Sequence, residues 1–481
     1  MTDDPTTTRR ALLKAAGATG AGLALATGAV TGDHAEDDPE YPSEAWYLRE
    51  QRNYARTREE PTRQANDPAF QARLEEQSAR NTAAYRQRTV EEPDWTSEGN
   101  LCKEYAEQCC GDPYLYPPSE VYEGDPFYQR VQRERVAFFD SGLDSDAGGA
   151  RLTGYVWAPA DAEPGDDLPG VVITNGSVQA SQTLYWWFAK TLVDSGYVVL
   201  TYDPRGQGRS DTATPEGTLG TNANPSVFVT NQVDAIDFFR STPEEPYPHN
   251  QDRPDAPEVF APYNPFHDLV DRSRLGIAGH SLGAQGVSIV QGLGAEGSGG
   301  PWPGALDDEN PVDVALAWDN LQPAGSELAG YTVVPRVPAM GQSADYFLTP
   351  SPKTEPPNPD EKLGGFQSWR DAGVSTYQLN VRGGTHYEWS LVPTFPTTDW
   401  ESWGNEFADY FSLAWLDRWL KRPGEPGFGT ATEHLLELSE EPWHERLSFY
   451  YRSAYDFVGR GAQGSNGKRQ VCEDAATGCG E

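Results

Sequence analysis

The chain has 481 residues, enough for one large domain with additions or for two to three smaller ones, so core size does not limit it. Its 73 acidic residues against 37 basic ones give a formal net charge of −36, which argues against a nucleic-acid partner. Only 7 of the basic residues are lysine and the carboxylates are dispersed along the chain, a composition that suits multimolar salt, where repulsion is screened and carboxylates keep the surface hydrated.

Residues 1–30 open with Arg9-Arg10 and continue into a weakly apolar Ala/Gly-rich run with Ala24-Leu25-Ala26 as a small-residue cleavage site. This pattern is that of a twin-arginine export signal, and it predicts a secreted protein. The run is too short and glycine-rich for a membrane span, and no later segment reaches 18 apolar residues, so the mature protein is expected to have none. The signal contains Asp3, Asp4, Arg9, Arg10 and Lys14; the acidity therefore belongs to what remains after its removal.

Residues 31–130 read as a polar N-terminal extension, with a helical stretch at 66–90 and a cysteine cluster at Cys102, Cys109 and Cys110. Two further cysteines, Cys472 and Cys479, lie near the other end. In an exported chain this pattern suits one or two disulfides with one thiol left over, of unassigned connectivity. A zinc site is disfavoured because no histidine lies near either cluster.

From residue 131 the pattern changes. Segments 131–139 and 151–158 alternate as an antiparallel pair joined by a Gly/Asp-rich turn. Parallel strands are then predicted at 170–174, 197–202, 275–278, 312–318, 337–342 and 376–381. Helical stretches are predicted between them at 181–195, 232–241, 284–292, a poorly defined stretch after 320, and 365–372, with a long closing helix at 400–420. Such alternation indicates an α/β domain over 131–422, followed by a C-terminal tail, 423–481. Pro-rich insertions at 243–271 and 349–360 lie beside strand ends, where pocket walls arise.

The sharpest local signal is Gly279-His280-Ser281-Leu282-Gly283, set between the 275–278 strand and a helix. A serine there sits on a strained elbow that its small neighbours permit, with its hydroxyl projecting and a helix N-terminus behind it. A serine hydroxyl needs a histidine base and a carboxylate to orient that base. His386, His434 and His444 follow the serine, and His386, just past the 376–381 strand, is the expected base; His280 is read as a packing residue. For the acid, Asp345 after the 337–342 strand is favoured, with Asp319, one strand earlier, as the alternative. The oxyanion donors are expected to be the amides of Leu282 and of Ser177, the latter in the loop Asn175-Gly176-Ser177. The glycines of Asp203-Pro204-Arg205-Gly206-Gln207-Gly208-Arg209-Ser210 lack nucleotide-loop spacing and read as a structural turn with an Asp/Arg pair. Tyr185-Trp186-Trp187-Phe188 reads mostly as core. Of Tyr346, Phe347, Tyr387 and Trp389, Tyr346 and Trp389 are the candidates for an apolar acyl pocket.

With the elbow, the order Ser281, Asp345, His386, the Asp203–Ser210 turn and the closing helix taken together, the segment 131–420 resembles the α/β-hydrolase superfamily. The stretch 102–126 is similar to a group of exported, functionally undefined bacterial hydrolases. The resemblance implies an eight-stranded, mostly parallel sheet with helices on both faces. It implies a serine hydrolase acting on small-molecule or polymeric carboxylic esters through an acyl-enzyme, with no metal or organic cofactor. Asn175-Gly176 departs from the His-Gly of many members, which bears on the oxyanion donor. A serine peptidase using the same residues, and a catalytically silent hydrolase-fold binding protein, are the readings left open.

Overall fold

The computed structural model of the chain describes residues 131–479 apart from short internal stretches, of which 252–260, 346–357 and 391–402 are the longest. The export signal, the 31–130 extension with its 66–90 helix, and Cys102, Cys109 and Cys110 lie outside the described residues.

The alternating segment that opens the domain forms β1 (Val131–Phe139) and β2 (Arg151–Pro159), paired antiparallel from Val131 opposite Pro159 to Phe139 opposite Arg151. The apolar runs that follow form β3 (Leu168–Thr174), β4 (Val198–Asp203), β5 (Val270–His280) and β6 (Val314–Trp318). A two-stranded hairpin, β7 (Glu327–Leu328) and β8 (Tyr331–Thr332), occupies the stretch after residue 320 in place of the expected helix. The main series resumes with β9 (Ala339–Ala344) and β10 (Thr376–Val381). Two strands not anticipated from the sequence, β11 (Ala454–Val458) and β12 (Arg469–Cys472), complete the sheet.

The sheet has ten strands in the order β1-β2-β4-β3-β5-β6-β9-β10-β11-β12. The six from β4 to β10 in that order run parallel, and the pairs at each edge are antiparallel. This is an α/β architecture. Parallel strands covered on both faces are buried along their whole length rather than on alternate residues; β4, β6, β9 and β10 are buried at every position, including the polar Gln342, Gln378 and Asn380.

Alternation still decides which face each side chain joins. Val314, Leu316 and Trp318 of β6 enter one core with α1 (Trp186–Asp194) and α5 (Trp403–Leu420). Ala315 and Ala317 enter the other, with α2 (Val227–Arg240), α3 (Leu282–Val290) and Trp369 of α4 (Gly364–Asp371). Trp186 and Phe188 are buried in the first core and Trp187 is packed against it, so the aromatic run of α1 is packing, as its helical spacing indicates. Among the described residues no helix is long and apolar enough to cross a membrane.

Within the segment 423–481, the described strands β11 and β12 extend the sheet. β11 pairs with β10, the Ser448 amide donates to the Asn380 carbonyl (2.9 Å), and Cys472 and Cys479 form a disulfide at the outer edge. The Tyr455 hydroxyl donates to Cys479 Sγ (3.2 Å) beneath it.

Candidate active site

The strand β5 delivers Ser281 at its C-terminal end, with the elbow backbone at φ 57° and ψ −120°. That conformation is costly for a residue with a Cβ and persists only where the surroundings over-determine it. The surroundings do so through two glycines. A Cβ on Gly279 would lie 2.4 Å from the Gly283 carbonyl oxygen, and a Cβ on Gly283 would lie 2.5 Å from the carbonyl oxygens of Thr174 and Asn175. Helix α3 thus lies directly against both its own strand and the loop after β3. Leu282 is its first residue, and first-turn amides have no acceptor within their helix.

The Ser281 hydroxyl donates to His386 Nε2 at 2.9 Å, and His386 Nδ1–H donates to Asp319 Oδ2 at 2.6 Å. His386 and Asp319 are both nearly buried, with side chains 9% and 7% exposed, so the pair is little screened. Burial by itself would raise the Asp319 carboxyl. The hydrogen bond and charge of His386, reinforced by nearby Lys362, outweigh it and hold the group below the usual carboxylate range. Asp319 is therefore an anion aligned on the far side of the imidazole from the serine.

This arrangement corrects the expected partner of His386, which is Asp319 and not Asp345. Asp345 ends β9 as expected, but its carboxylate accepts a hydrogen bond from the Ser448 hydroxyl, which in turn accepts from the amides of Tyr450 and Tyr451 at 2.9 Å. The register explains why Asp319 is the carboxylate that reaches the imidazole. His280 of β5 lies opposite Trp318 of β6, and Trp318 lies opposite Gln342 of β9. Ser281 and Asp319 are thus the next residues on adjacent strands, tied by a bond from the Ser281 amide to the Trp318 carbonyl (2.9 Å), whereas Asp345 is three residues beyond Gln342 and one strand further away. The loop after β10 carries His386 back over β5, where His280 Nε2 bonds its carbonyl oxygen at 2.8 Å. His386 comes to rest against Ser281 and Asp319, the residues that follow β5 and β6.

His280 is buried, as a packing residue would be, but both of its ring nitrogens are engaged, Nδ1 by the Tyr185 hydroxyl at 2.7 Å. His434 lies on α6 (Ala431–Leu436) against Tyr410, and His444 Nε2 lies 3.0 Å from the Ala476 carbonyl oxygen, so neither approaches the serine as a base.

The loop after β3 reaches Ser281: a Cβ on Gly176 would lie 3.2 Å from Ser281 Cβ, which puts Ser177 at the edge of the site. The turn after β4 holds this loop. Asp203 accepts from Asn175 Nδ2 (3.1 Å) and from the Gln182 amide (2.7 Å), while the Gln207 side-chain amide donates to the Gly176 carbonyl. Arg205 does not pair within the turn; its guanidinium meets Asp140 and Asp144, fully buried. Trp389 is completely buried, and its indole N–H donates to Gln342 Oε1 (2.8 Å), so it belongs to the core rather than to a pocket wall. Tyr346, Phe347 and Tyr387 lie outside the described residues.

Lys362, whose charge acts on Asp319, carries no signal in the sequence, and Tyr185 reads there only as part of an aromatic core run; the folded chain alone brings the first toward Asp319 and the second to Gly176 and His280. No protein-family model and no curated protein matches the chain.

Proposed function

We propose that the protein is a secreted serine hydrolase of the α/β-hydrolase type that cleaves carboxylic esters, with Asp319 as the acid of its triad. The observation that carries this reading is the unbroken chain Asp319 Oδ2, His386, Ser281 Oγ, with bonds of 2.6 and 2.9 Å, mounted on a strained strand-to-helix elbow. Eight of the ten strands, those up to β10, correspond to the eight that the family resemblance implies; β11 and β12 are supplied by the C-terminal segment.

In the first half-reaction Ser281 Oγ bonds to the ester carbonyl carbon as its proton passes to His386 Nε2. Asp319 holds Nδ1–H and stabilises the imidazolium that results. The amides of Leu282 and Ser177 are assigned to the tetrahedral oxyanion, where the positive end of α3 adds to them. His386 then protonates the departing alcohol oxygen as the C–O bond breaks. In the second half, water gives its proton to His386 and attacks the acyl carbon, and Ser281 leaves with that proton.

The test is labelling by a fluorophosphonate probe in multimolar KCl, followed by turnover of ester and peptide panels. Ser281 is expected to take the label and esters to turn over. The Ser281→Ala variant should fold normally and retain about 10⁻³ or less of kcat. Folded wild-type protein that neither labels nor hydrolyses any ester would overturn the reading; hydrolysis confined to peptides would move it to a peptidase.

A further inference from the structure

We propose that Tyr185 and His280 form a buried positioning relay that fixes the oxyanion loop and the base-bearing loop on opposite sides of the nucleophile. This rests on the hydrolase reading of the site. The relay is a single run of hydrogen bonds. The Gly176 amide donates to Tyr185 Oη (3.0 Å), Tyr185 Oη lies 2.7 Å from His280 Nδ1, and His280 Nε2 lies 2.8 Å from the main-chain oxygen of His386.

The chemistry of the end group sets every proton in the run. The His386 carbonyl can only accept, so His280 Nε2 must carry the hydrogen. Nδ1 of the neutral ring is then an acceptor, so the Tyr185 hydroxyl donates to it and has its oxygen free to accept from Gly176. Each member therefore uses its groups once, with no bond left to rotate into an alternative. Tyr185 is wholly buried and His280 is 3% exposed, so neither group can substitute water for a lost partner.

His280 stays neutral: burial, then the adjacent His386, push its imidazole down to about 3. The two imidazoles lie with centroids 4.6 Å apart and planes at 35°. A neutral ring in that position lets His386 take up the serine proton without facing a second cation. The relay also commits the Gly176 amide to Tyr185, so of these two neighbouring amides it is that of Ser177 that is left to an oxyanion. Gly176 is confined in turn, since a Cβ there would lie 3.1 Å from both His280 Nδ1 and Tyr185 Oη.

Tyr185→Phe removes one hydroxyl without changing shape. Displacements well below 1 Å at the reacting groups are costly, and a 1 Å misplacement can lose about 100-fold. We expect kcat on a p-nitrophenyl ester in multimolar KCl, counted per fluorophosphonate-titrated site, to fall about 10- to 100-fold, with KM changing less than about threefold. A merely structural role for the hydroxyl would lower the melting temperature and the number of titratable sites while leaving turnover per site unchanged, and that result would overturn the proposal. Histidine ¹⁵N shifts of the wild-type protein give an independent test that needs neither a variant nor activity. Between pH 5 and 8 His280 should be the neutral Nε2–H tautomer, and an Nδ1–H tautomer or an imidazolium would refute the relay. Wild-type protein that fails to label would sink the hydrolase reading alone, and the tautomer would still decide the hydrogen-bond run.

Discussion

Asp319→Asn and Asp345→Asn, made side by side, put the assignment of the acid at risk. The Asp319 carboxylate accepts Nδ1–H at 2.6 Å, which leaves Nε2 of His386 with its lone pair toward Ser281 Oγ, 2.9 Å away. An asparagine at 319 can turn its NH₂ toward the ring and hold the opposite tautomer, in which Nε2 carries the hydrogen and cannot accept the serine proton. That change costs about 10⁴-fold where it has been measured in a serine-protease triad, or about 5.4 kcal/mol of transition-state stabilisation. An asparagine at 345 keeps an oxygen for the Ser448 hydroxyl, so weakening that bond costs about 1 kcal/mol in stability. The assay is kcat on a chromogenic ester with sites titrated by fluorophosphonate, alongside the melting temperature of each variant. Asp319→Asn should lose about four decades of kcat at little cost in melting temperature, and Asp345→Asn less than about one decade. If Asp345→Asn is the crippled enzyme while Asp319→Asn turns over within tenfold of wild type, the register argument for the acid is wrong.

Gly283→Ala should both destabilise and inactivate, by about 1–3 kcal/mol and about 100-fold in kcat, because its Cβ would meet the carbonyl oxygens of Thr174 and Asn175, at the end of β3 and the start of its loop, at 2.5 Å; near-normal activity would show that α3 can shift without moving the site. His280 titrates near 6.5 in the unfolded chain and at about 3 when folded, so between those values the unfolded state binds the extra proton and this group makes stability fall as pH is lowered, by about 1.4 kcal/mol per pH unit. Replacing it by glutamine should flatten the acid side of the stability curve over that window, and an unchanged slope in urea titrations at pH 6, 5 and 4 would contradict the buried neutral ring. The net charge of −36 should make the melting temperature and esterase activity rise together from 0.1 M to 3 M KCl, as the Debye length contracts from about 10 Å to a few ångströms. A flat or falling melting temperature over that range would remove the salt-adapted reading and leave the proposed chemistry standing.

What the sequence determined by itself was local. The apolar runs of the parallel strands, the turn residues of the β1–β2 hairpin and the Gly-His-Ser-Leu-Gly elbow each have a short-range cause, and β10 falls at the residues its periodicity indicates. Ser281 and His386 were legible as partners because Ser281 directly follows one such strand and His386 lies in the loop just past another. The partner of His386 was not. Two aspartates, Asp319 and Asp345, end neighbouring strands; the sequence favours Asp345, whereas the outcome rests on strand register and on how far the loop after β10 reaches across the sheet. That reach is set in part by His280 holding the His386 carbonyl, a contact between residues 106 apart. The same holds for the C-terminal segment. Its short strands, β11 and β12, carry weak patterns of their own and become part of the sheet because β10 offers an unpaired edge. Ser448 then occupies Asp345 from that segment, so the fate of one candidate acid depends on a strand pairing that no window of sequence around it contains.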